Sequence, residues 1–229
     1  MSIDTLLESA GSVLNLGGPV VAILFALSVL LVALALFKFW QFHVMGLGRH
    51  TRAIRALNSW LARGEESAAA SLAGDPNPAA QILVHAIAGV INAGTDTQRL
   101  AAASEDIERI GSNLVASMRR YLRVFEVSAQ IAPLLGLFGT VVGMIAAFRS
   151  LQEAGSQVDP SDLAGGIWVA LLTTAAGLMV AMPASLILTW FESRIAREQR
   201  VMEDMAVSVM TGRIAETKET GGNATRLAA

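Results

Sequence analysis

Three stretches of this chain are almost entirely apolar, and each is long enough to cross a membrane as a helix. They cover residues 18–40, 128–149 and 164–191. The runs 129–148 and 163–191 contain no Asp, Glu, Lys, Arg or His. A spanning helix needs about 20 mostly apolar residues, and hydrocarbon penalises charge heavily. The pattern therefore predicts an all-α membrane protein with three transmembrane helices.

The segments beside these spans also place apolar residues at helical spacing. Residues 1–17 have the pattern of an amphipathic helix lying on the membrane surface. Between the first two spans, the sequence predicts one helix, a break at 75–78, and a second helix that ends near Gly94. From Gln98 a further pattern meets no proline before Pro133, which predicts one unbroken helix entering the second span. We therefore expect long helical extensions outside the membrane.

The distribution of basic residues orients the spans. Residues 1–17 contain no Lys or Arg, and Arg149, at the end of the second span, is the only basic residue between the charge-free runs 129–148 and 163–191. The other basic residues lie at the end of the first span, in the long segment that follows it, or after the third span. Because Lys and Arg are concentrated on the cytoplasmic side, the N-terminus is predicted outside and the C-terminus inside. A cleaved signal peptide is disfavoured because the start has no basic region.

These patterns together predict an order of segments and two details at the span ends. The order is an amphipathic helix on the outer side (1–17), transmembrane helix 1 (18–40), a cytoplasmic helical domain (41–127), transmembrane helix 2 (128–149), an outer loop (150–163), transmembrane helix 3 (164–191), a cytoplasmic extension of that helix (192–215) and a disordered tail (216–229). Asp159 is expected to cap the third span, with Pro160 at its first position. Lys38 is expected to extend to the interface beside Trp40.

Composition argues against enzyme chemistry. Apolar residues make up 53% of the chain and charged residues 16%, which is too apolar for a soluble domain. The chain has no Cys, and its three His residues are scattered without metal-ligand spacing. The Gly46-Leu47-Gly48 string lacks the rest of a nucleotide-binding motif, and no P-loop is present. We therefore expect no catalytic residue, no metal, no cofactor and no nucleic-acid partner.

Small and hydroxyl side chains are the remaining polar features of the second and third spans. Glycines spaced three or four apart let helices approach closely, which predicts helix packing at Gly136, Gly139 and Gly143. Gly177 of the third span is a further expected packing position. Membrane threonines commonly return their hydroxyl to a carbonyl one turn back. Each of Thr140, Thr173 and Thr174 taken alone is therefore consistent with a purely structural role, and only their combination suggests a functional one. Pro133 and Pro183 predict helix kinks.

The strings IAPLLGLFGTVVGM and GGIWVALLTTAAGLMVAMPA resemble the second and third membrane helices of the ExbB/TolQ/MotA proton-channel family. The likeness is strong over residues 125–192 and weaker elsewhere. Three spans and the large cytoplasmic insertion are more similar to the ExbB and TolQ branch than to the MotA branch, which has four spans. The resemblance implies a multi-pass protein of the bacterial inner membrane that helps convert ion-motive force into mechanical work.

The resemblance also implies partners and an ion pathway. It implies a homo-oligomer of five copies around the single helices of an ExbD-like partner, whose membrane Asp accepts and releases the proton. Thr140 and Thr174 align with the family's threonines beside that Asp, Thr173 stands where relatives often carry Ala, and Pro133 and Pro183 match family prolines. Val169 departs from the pattern, because relatives often carry Glu there. A TonB-like or TolA-like transducer would receive the force.

Three interpretations of function stay open at this point. The first is an ExbB-like subunit energising TonB-dependent transport across the outer membrane, with a TolQ-like role in envelope integrity as its close sibling. The second is a non-conducting membrane scaffold, which Val169 and the lack of membrane acids favour. The third is a self-sufficient channel, which the absence of a charged or carbonyl-rich filter disfavours. Hydroxyls beside a carboxylate would serve either protons or sodium ions.

Overall fold

The computed structural model describes residues 3–63, 67–154 and 160–212, and every regular element in those ranges is an α-helix. The helices are α1 (Ile3–Val44), α2 (Thr51–Arg63), α3 (Ser67–Ala70), α4 (Pro78–Ala93), α5 (Thr97–Arg119), α6 (Leu122–Ala154) and α7 (Pro160–Thr211). Parts of α1, α6 and α7 are long and apolar enough to cross a membrane: Gly18–Val44, Leu122–Glu153 and Leu163–Thr211. The predicted fold class, an all-α protein with three candidate spans, is confirmed.

The chain divides into two compact units. The spanning unit comprises Met1–Gln41 and Arg119–Arg194, and the polar unit comprises Phe42–Met118 and Ile195–Ala229. In the spanning unit, Val20 and Leu24 of α1 pack with Ala132 of α6 and Ala181 of α7. Most other apolar side chains of this unit point outward, and Leu186 is 73% exposed. That inversion of the soluble-protein pattern fits helices that face lipid or neighbouring subunits.

The polar unit has a compact core of its own, formed by α4, α5 and the end of α7. Ile82 and Leu83 of α4 are fully buried, as is Ile195 of α7. Gly111 of α5 lies against the ends of the Ile82 and Met202 side chains. The predicted break and helix end are both present, because Asn77 caps α4 and Gly94 closes it with a positive φ of 55°. The short helix α3 was not predicted.

The kink in α1 and the start of α7 can be compared with the predicted starts of the first and third spans. A kink at Gly18, with φ 64° and ψ −166°, separates the first part of α1 from its apolar part. A helix is therefore present before residue 18. Whether it is amphipathic stays a prediction. Helix α7 begins at Pro160. The proposed cap Asp159 and the tail 216–229 fall outside the described residues.

Two local expectations are wrong. The helix predicted to run unbroken from Gln98 is interrupted, because α5 ends at Arg119, Tyr121 has a φ of 69° and α6 begins at Leu122. No local signal announces this break, since tyrosine rarely adopts a positive φ. Lys38 does not extend to the interface: its side chain is fully buried and donates to Gln41 Oε1 at 2.9 Å. A hydrogen bond inside the unit offsets part of the cost of burying this ammonium.

Candidate functional site

In the spanning unit, α6 and α7 meet along a seam of small residues, called here the glycine seam, which includes Gly136, Gly139, Gly143 and Gly177. A Cβ added to Gly177 would lie 2.5 Å from the Ala132 carbonyl oxygen, and one added to Gly136 would lie 2.8 Å from the Thr173 carbonyl oxygen. Further along, Gly143 faces Ala170 in the same manner. Residues later in α6 contact residues earlier in α7, so the two helices are antiparallel. Their backbones touch because no side chain separates them.

Thr173 occupies the centre of this seam. Its side chain is 2% exposed, and its hydroxyl lies 2.7 Å from the Ala170 carbonyl oxygen on its own helix and 3.0 Å from the Gly136 carbonyl oxygen on α6. A Cβ at Gly139 would lie 2.6 Å from Thr173 Oγ1. The hydroxyl therefore joins the two helices, and this placement gives Thr173 a packing role within the unit.

Thr140 lies on a different face of α6. Its hydroxyl donates to the Leu137 carbonyl oxygen at 2.7 Å, and its side chain is half-buried. It lines an open groove of about 650 Å³ that runs along α6 towards Arg149. The other lining residues are Val141, Met144, Ile145, Phe148 and Gln152. This groove combines an apolar wall, one hydroxyl and a guanidinium at its end.

Thr174 and Val169 flank the seam on α7. The Thr174 Cα lies 3.0 Å from the position of a Cβ on Gly136, while its side chain is half-buried, as is that of Val169. In the described parts of α6 and α7 no hydrogen bond joins Thr140 to Thr173 or Thr174. The structure thus brings Thr173 together with the glycines, and it leaves Thr140 on a separate surface. Roles in an ion pathway remain predictions for all three threonines.

The two prolines lie inside continuous helices. Pro133 is half-buried in α6, and Pro183 is exposed in α7. Pro183 lines an apolar groove of about 320 Å³ between α7 and α1, where Leu24 and Phe25 face it. Because proline has no N–H, the carbonyl four residues earlier loses its usual helical partner. Each proline therefore marks a point where its helix has one hydrogen bond fewer.

Sequence reasoning missed a polar cluster in the polar unit. Glu198 is 3% exposed, and its carboxylate lies 3.0 and 3.1 Å from His50 Nε2 and 3.3 Å from the Gly48 N–H. A signal was present, because Glu198 falls on the same helical face as Ile195 and Met202. An acid in an apolar stripe indicates a buried partner. Among the described residues no group of His, Asp and Glu could hold a metal ion.

Comparisons with known proteins converge on one family. The profile of the MotA/TolQ/ExbB proton channel family matches residues 76–204. "Biopolymer transport protein exbB1" of Vibrio cholerae is 38% identical over 85 residues, which is 35% of this chain and 37% of the relative. "Biopolymer transport protein ExbB" of Salmonella typhimurium is 33% identical over 134 residues, 54% of each protein.

A third relative matches over a longer stretch. "Putative biopolymer transport protein ExbB homolog" of Methanothermobacter thermautotrophicus is 28% identical over 202 residues, which cover 86% of this chain and 69% of the relative. The other two matches span about a third to a half of the relatives' own length.

Proposed function

Because this chain belongs to the MotA/TolQ/ExbB proton channel family, we propose that it is an ExbB-like subunit of a proton-channel motor in a bacterial inner membrane. With an ExbD-like partner, it converts proton-motive force into mechanical work for TonB-dependent transport across the outer membrane. The observation that carries this proposal is the family match, which includes all of α6 and most of α7. Those helices bear the Thr140 groove and the glycine seam.

The proposed channel takes its acid from the partner. Residues 129–148 and 163–191 contain no carboxylate, so this chain alone has no titratable group in the middle of these spans. An Asp on an ExbD-like helix, placed against the Thr140 groove, would find an apolar wall that favours its neutral form. The Thr140 hydroxyl would give it a hydrogen-bond partner without a fixed countercharge that traps the ion, and the family resemblance implies the same role for Thr174. We place five copies of this chain around that partner.

The energy available to such a motor is set by the membrane potential. One elementary charge crossing the membrane releases about 2.3 kcal/mol per 100 mV. That energy biases packed helices between two positions by more than tenfold for each 100 mV. The orientation follows the distribution of basic residues, with a periplasmic N-terminus and a cytoplasmic C-terminus.

The test is proton uptake into liposomes that contain this chain together with its ExbD-like partner. Thr140→Val and Thr174→Val remove a hydroxyl but keep the side-chain shape, and each is expected to reduce the uptake rate about tenfold, the effect of losing one hydrogen bond of about 1.4 kcal/mol. Thr189→Val is the matched control, because the Thr189 hydroxyl bonds to the Ser185 carbonyl oxygen on an exposed part of α7. Equal rates in all three variants would contradict the pathway.

Two other functions have distinct outcomes in the same system. A non-conducting scaffold is favoured by Val169, and it predicts no uptake even with the partner present. A TolQ-like role in envelope integrity predicts uptake, but with a TolA-like rather than a TonB-like transducer. Deleting the gene and measuring TonB-dependent siderophore uptake against detergent sensitivity separates these two siblings.

A further inference from the structure

Three exposed arginines stand where α5 gives way to α6. Arg119, Arg120 and Arg123 are all exposed, and none of them forms an ion pair with a residue that the structure describes. Glu126 follows one turn later, so residues 119–126 carry three positive charges and one negative charge. We call residues 119–123 the Tyr121 turn. Its excess of unpaired positive charge is available to an anion.

The Tyr121 turn has an unusual backbone. Tyr121 is the one non-glycine residue with a positive φ in the described chain, and it is 47% exposed. Its ring packs edge-on against Phe37 with centroids 6.2 Å apart, and the Arg120 guanidinium lies 6.0 Å from the centre of the same ring. Residues held in this conformation cluster at binding sites. The turn therefore places the Arg120 guanidinium beside an exposed aromatic ring.

Aromatic side chains also lie at the ends of the first and third apolar spans, on the same side of the spans as the turn. Trp40 is 64% exposed and its ring lies 6.4 Å from that of Phe37, while Trp190 is 45% exposed and lies 4.9 Å from Phe39. Trp and Tyr are enriched where lipid headgroups meet hydrocarbon.

We propose that the Tyr121 turn binds the phosphate of an anionic glycerophospholipid in the cytoplasmic leaflet. The guanidinium groups of Arg120 and Arg123 hold the phosphate, since Arg forms forked hydrogen bonds with phosphate oxygens. The rings of Tyr121 and Trp40 cover the glycerol region beside it. A lipid fits better than a soluble anion, because the turn lies at the start of an apolar span whose neighbouring side chains are exposed and apolar. Basic clusters in this position are typical lipid sites.

The test is titration of the purified full-length protein in detergent with phosphatidylglycerol, followed by native mass spectrometry. Each basic residue near an anionic lipid contributes about 1 kcal/mol, so the double variant Arg120→Gln/Arg123→Gln should bind about 30-fold more weakly. The matched control is Arg197→Gln/Arg200→Gln, which removes two exposed charges elsewhere on α7 and should leave binding unchanged. Arg120→Lys keeps the charge but loses the forked hydrogen bonds, so its lipid affinity should fall between those of the two double variants.

Several outcomes would overturn the proposal. Equal weakening in both double variants would mean that any surface charge suffices. Equal affinity for phosphatidylcholine of the same chain length would mean that the headgroup charge is not recognised. Displacement of the lipid by inorganic phosphate at equal concentration would identify a free-phosphate site instead. If the double variant fails to fold, the wild-type protein still decides, because binding that does not weaken between 50 and 500 mM salt excludes a charge-based site.

Discussion

At the residue scale, the contact between α6 and α7 depends on positions where a side chain is missing. Gly136, Gly139 and Gly177 each face backbone or side-chain atoms closer than a Cβ atom tolerates. Gly165 provides a contrast, since nothing lies within 4 Å of a Cβ placed there. The same pair of helices therefore contains crowded glycines and an uncrowded one. We expect alanine to destabilise the protein at a crowded glycine and to be tolerated at the uncrowded one.

Gly139→Ala should destabilise the spanning unit by about 1–3 kcal/mol, because the new methyl group overlaps the Thr173 side chain. Gly165→Ala should leave stability unchanged or raise it by about 0.5–1 kcal/mol, since alanine is the better helix former. The measurement is the free energy of unfolding in mixed micelles with increasing SDS. A similar loss in both variants would show that the seam is not tightly packed.

Thr173→Val should lower the free energy of unfolding by about 1 kcal/mol, the usual value of a hydrogen bond between membrane helices. The change removes the hydroxyl that lies between the Ala170 and Gly136 carbonyl oxygens and keeps the branched shape. The same micelle assay applies, with Thr189→Val expected within about 0.5 kcal/mol of the wild-type protein. A Thr173→Val protein as stable as the wild type would assign the contact to packing alone.

The sequence predicted part of this site and missed the rest for a physical reason. Spacing alone places Gly136, Gly139 and Gly143 near one face of a helix. It does not tell which threonine meets that face, because Thr173 and Thr174 are adjacent and point about 100° apart on α7. Only the pairing of α6 with α7 assigns Thr173 to the seam.

At the element scale, helix ends that depend on local chemistry were predicted, and those that depend on distant contacts were not. Asn77 and Gly94 bound α4 through capping, which a sequence displays directly. At the unpredicted break, Tyr121 packs against Phe37, more than 80 residues away in the sequence, and a local pattern does not display such a contact. The burial of Lys38 is of the same kind: its hydrogen-bond partner Gln41 is local, but its side chain is covered only when the helices pack.

Asn77→Ala should destabilise the polar unit by about 1–2 kcal/mol. The Asn77 side chain accepts hydrogen bonds from the N–H groups of Ala79 and Ala80, and its amide donates to the Gly46 carbonyl oxygen at 2.8 Å. Thermal unfolding followed by circular dichroism gives the change. Gln81→Ala is the control, because its bond to the Pro76 carbonyl oxygen is exposed, and it should shift stability by less than about 0.5 kcal/mol.

At the scale of the whole molecule, the absence of cysteine makes the orientation directly testable. A single cysteine at Gln152, exposed near the end of α6, should react with a membrane-impermeant maleimide in intact spheroplasts. A single cysteine at Asn92, exposed on α4, should react only after the membrane is permeabilised. The expectation rests on the concentration of basic residues in the polar unit. The reverse labelling pattern would invert the proposed orientation.

The interlocking of α6 and α7 also limits how this chain can move. Turning one helix about its own axis would replace a glycine by a larger side chain at the points where the backbones touch. The two helices must therefore travel together as one stiff hairpin. We expect bending only where a backbone hydrogen bond of the helix is missing, one turn before Pro133 and one turn before Pro183. Under the proposed function, each stroke of the motor would tilt whole α6–α7 hairpins, and α6 would not rotate or slide against α7.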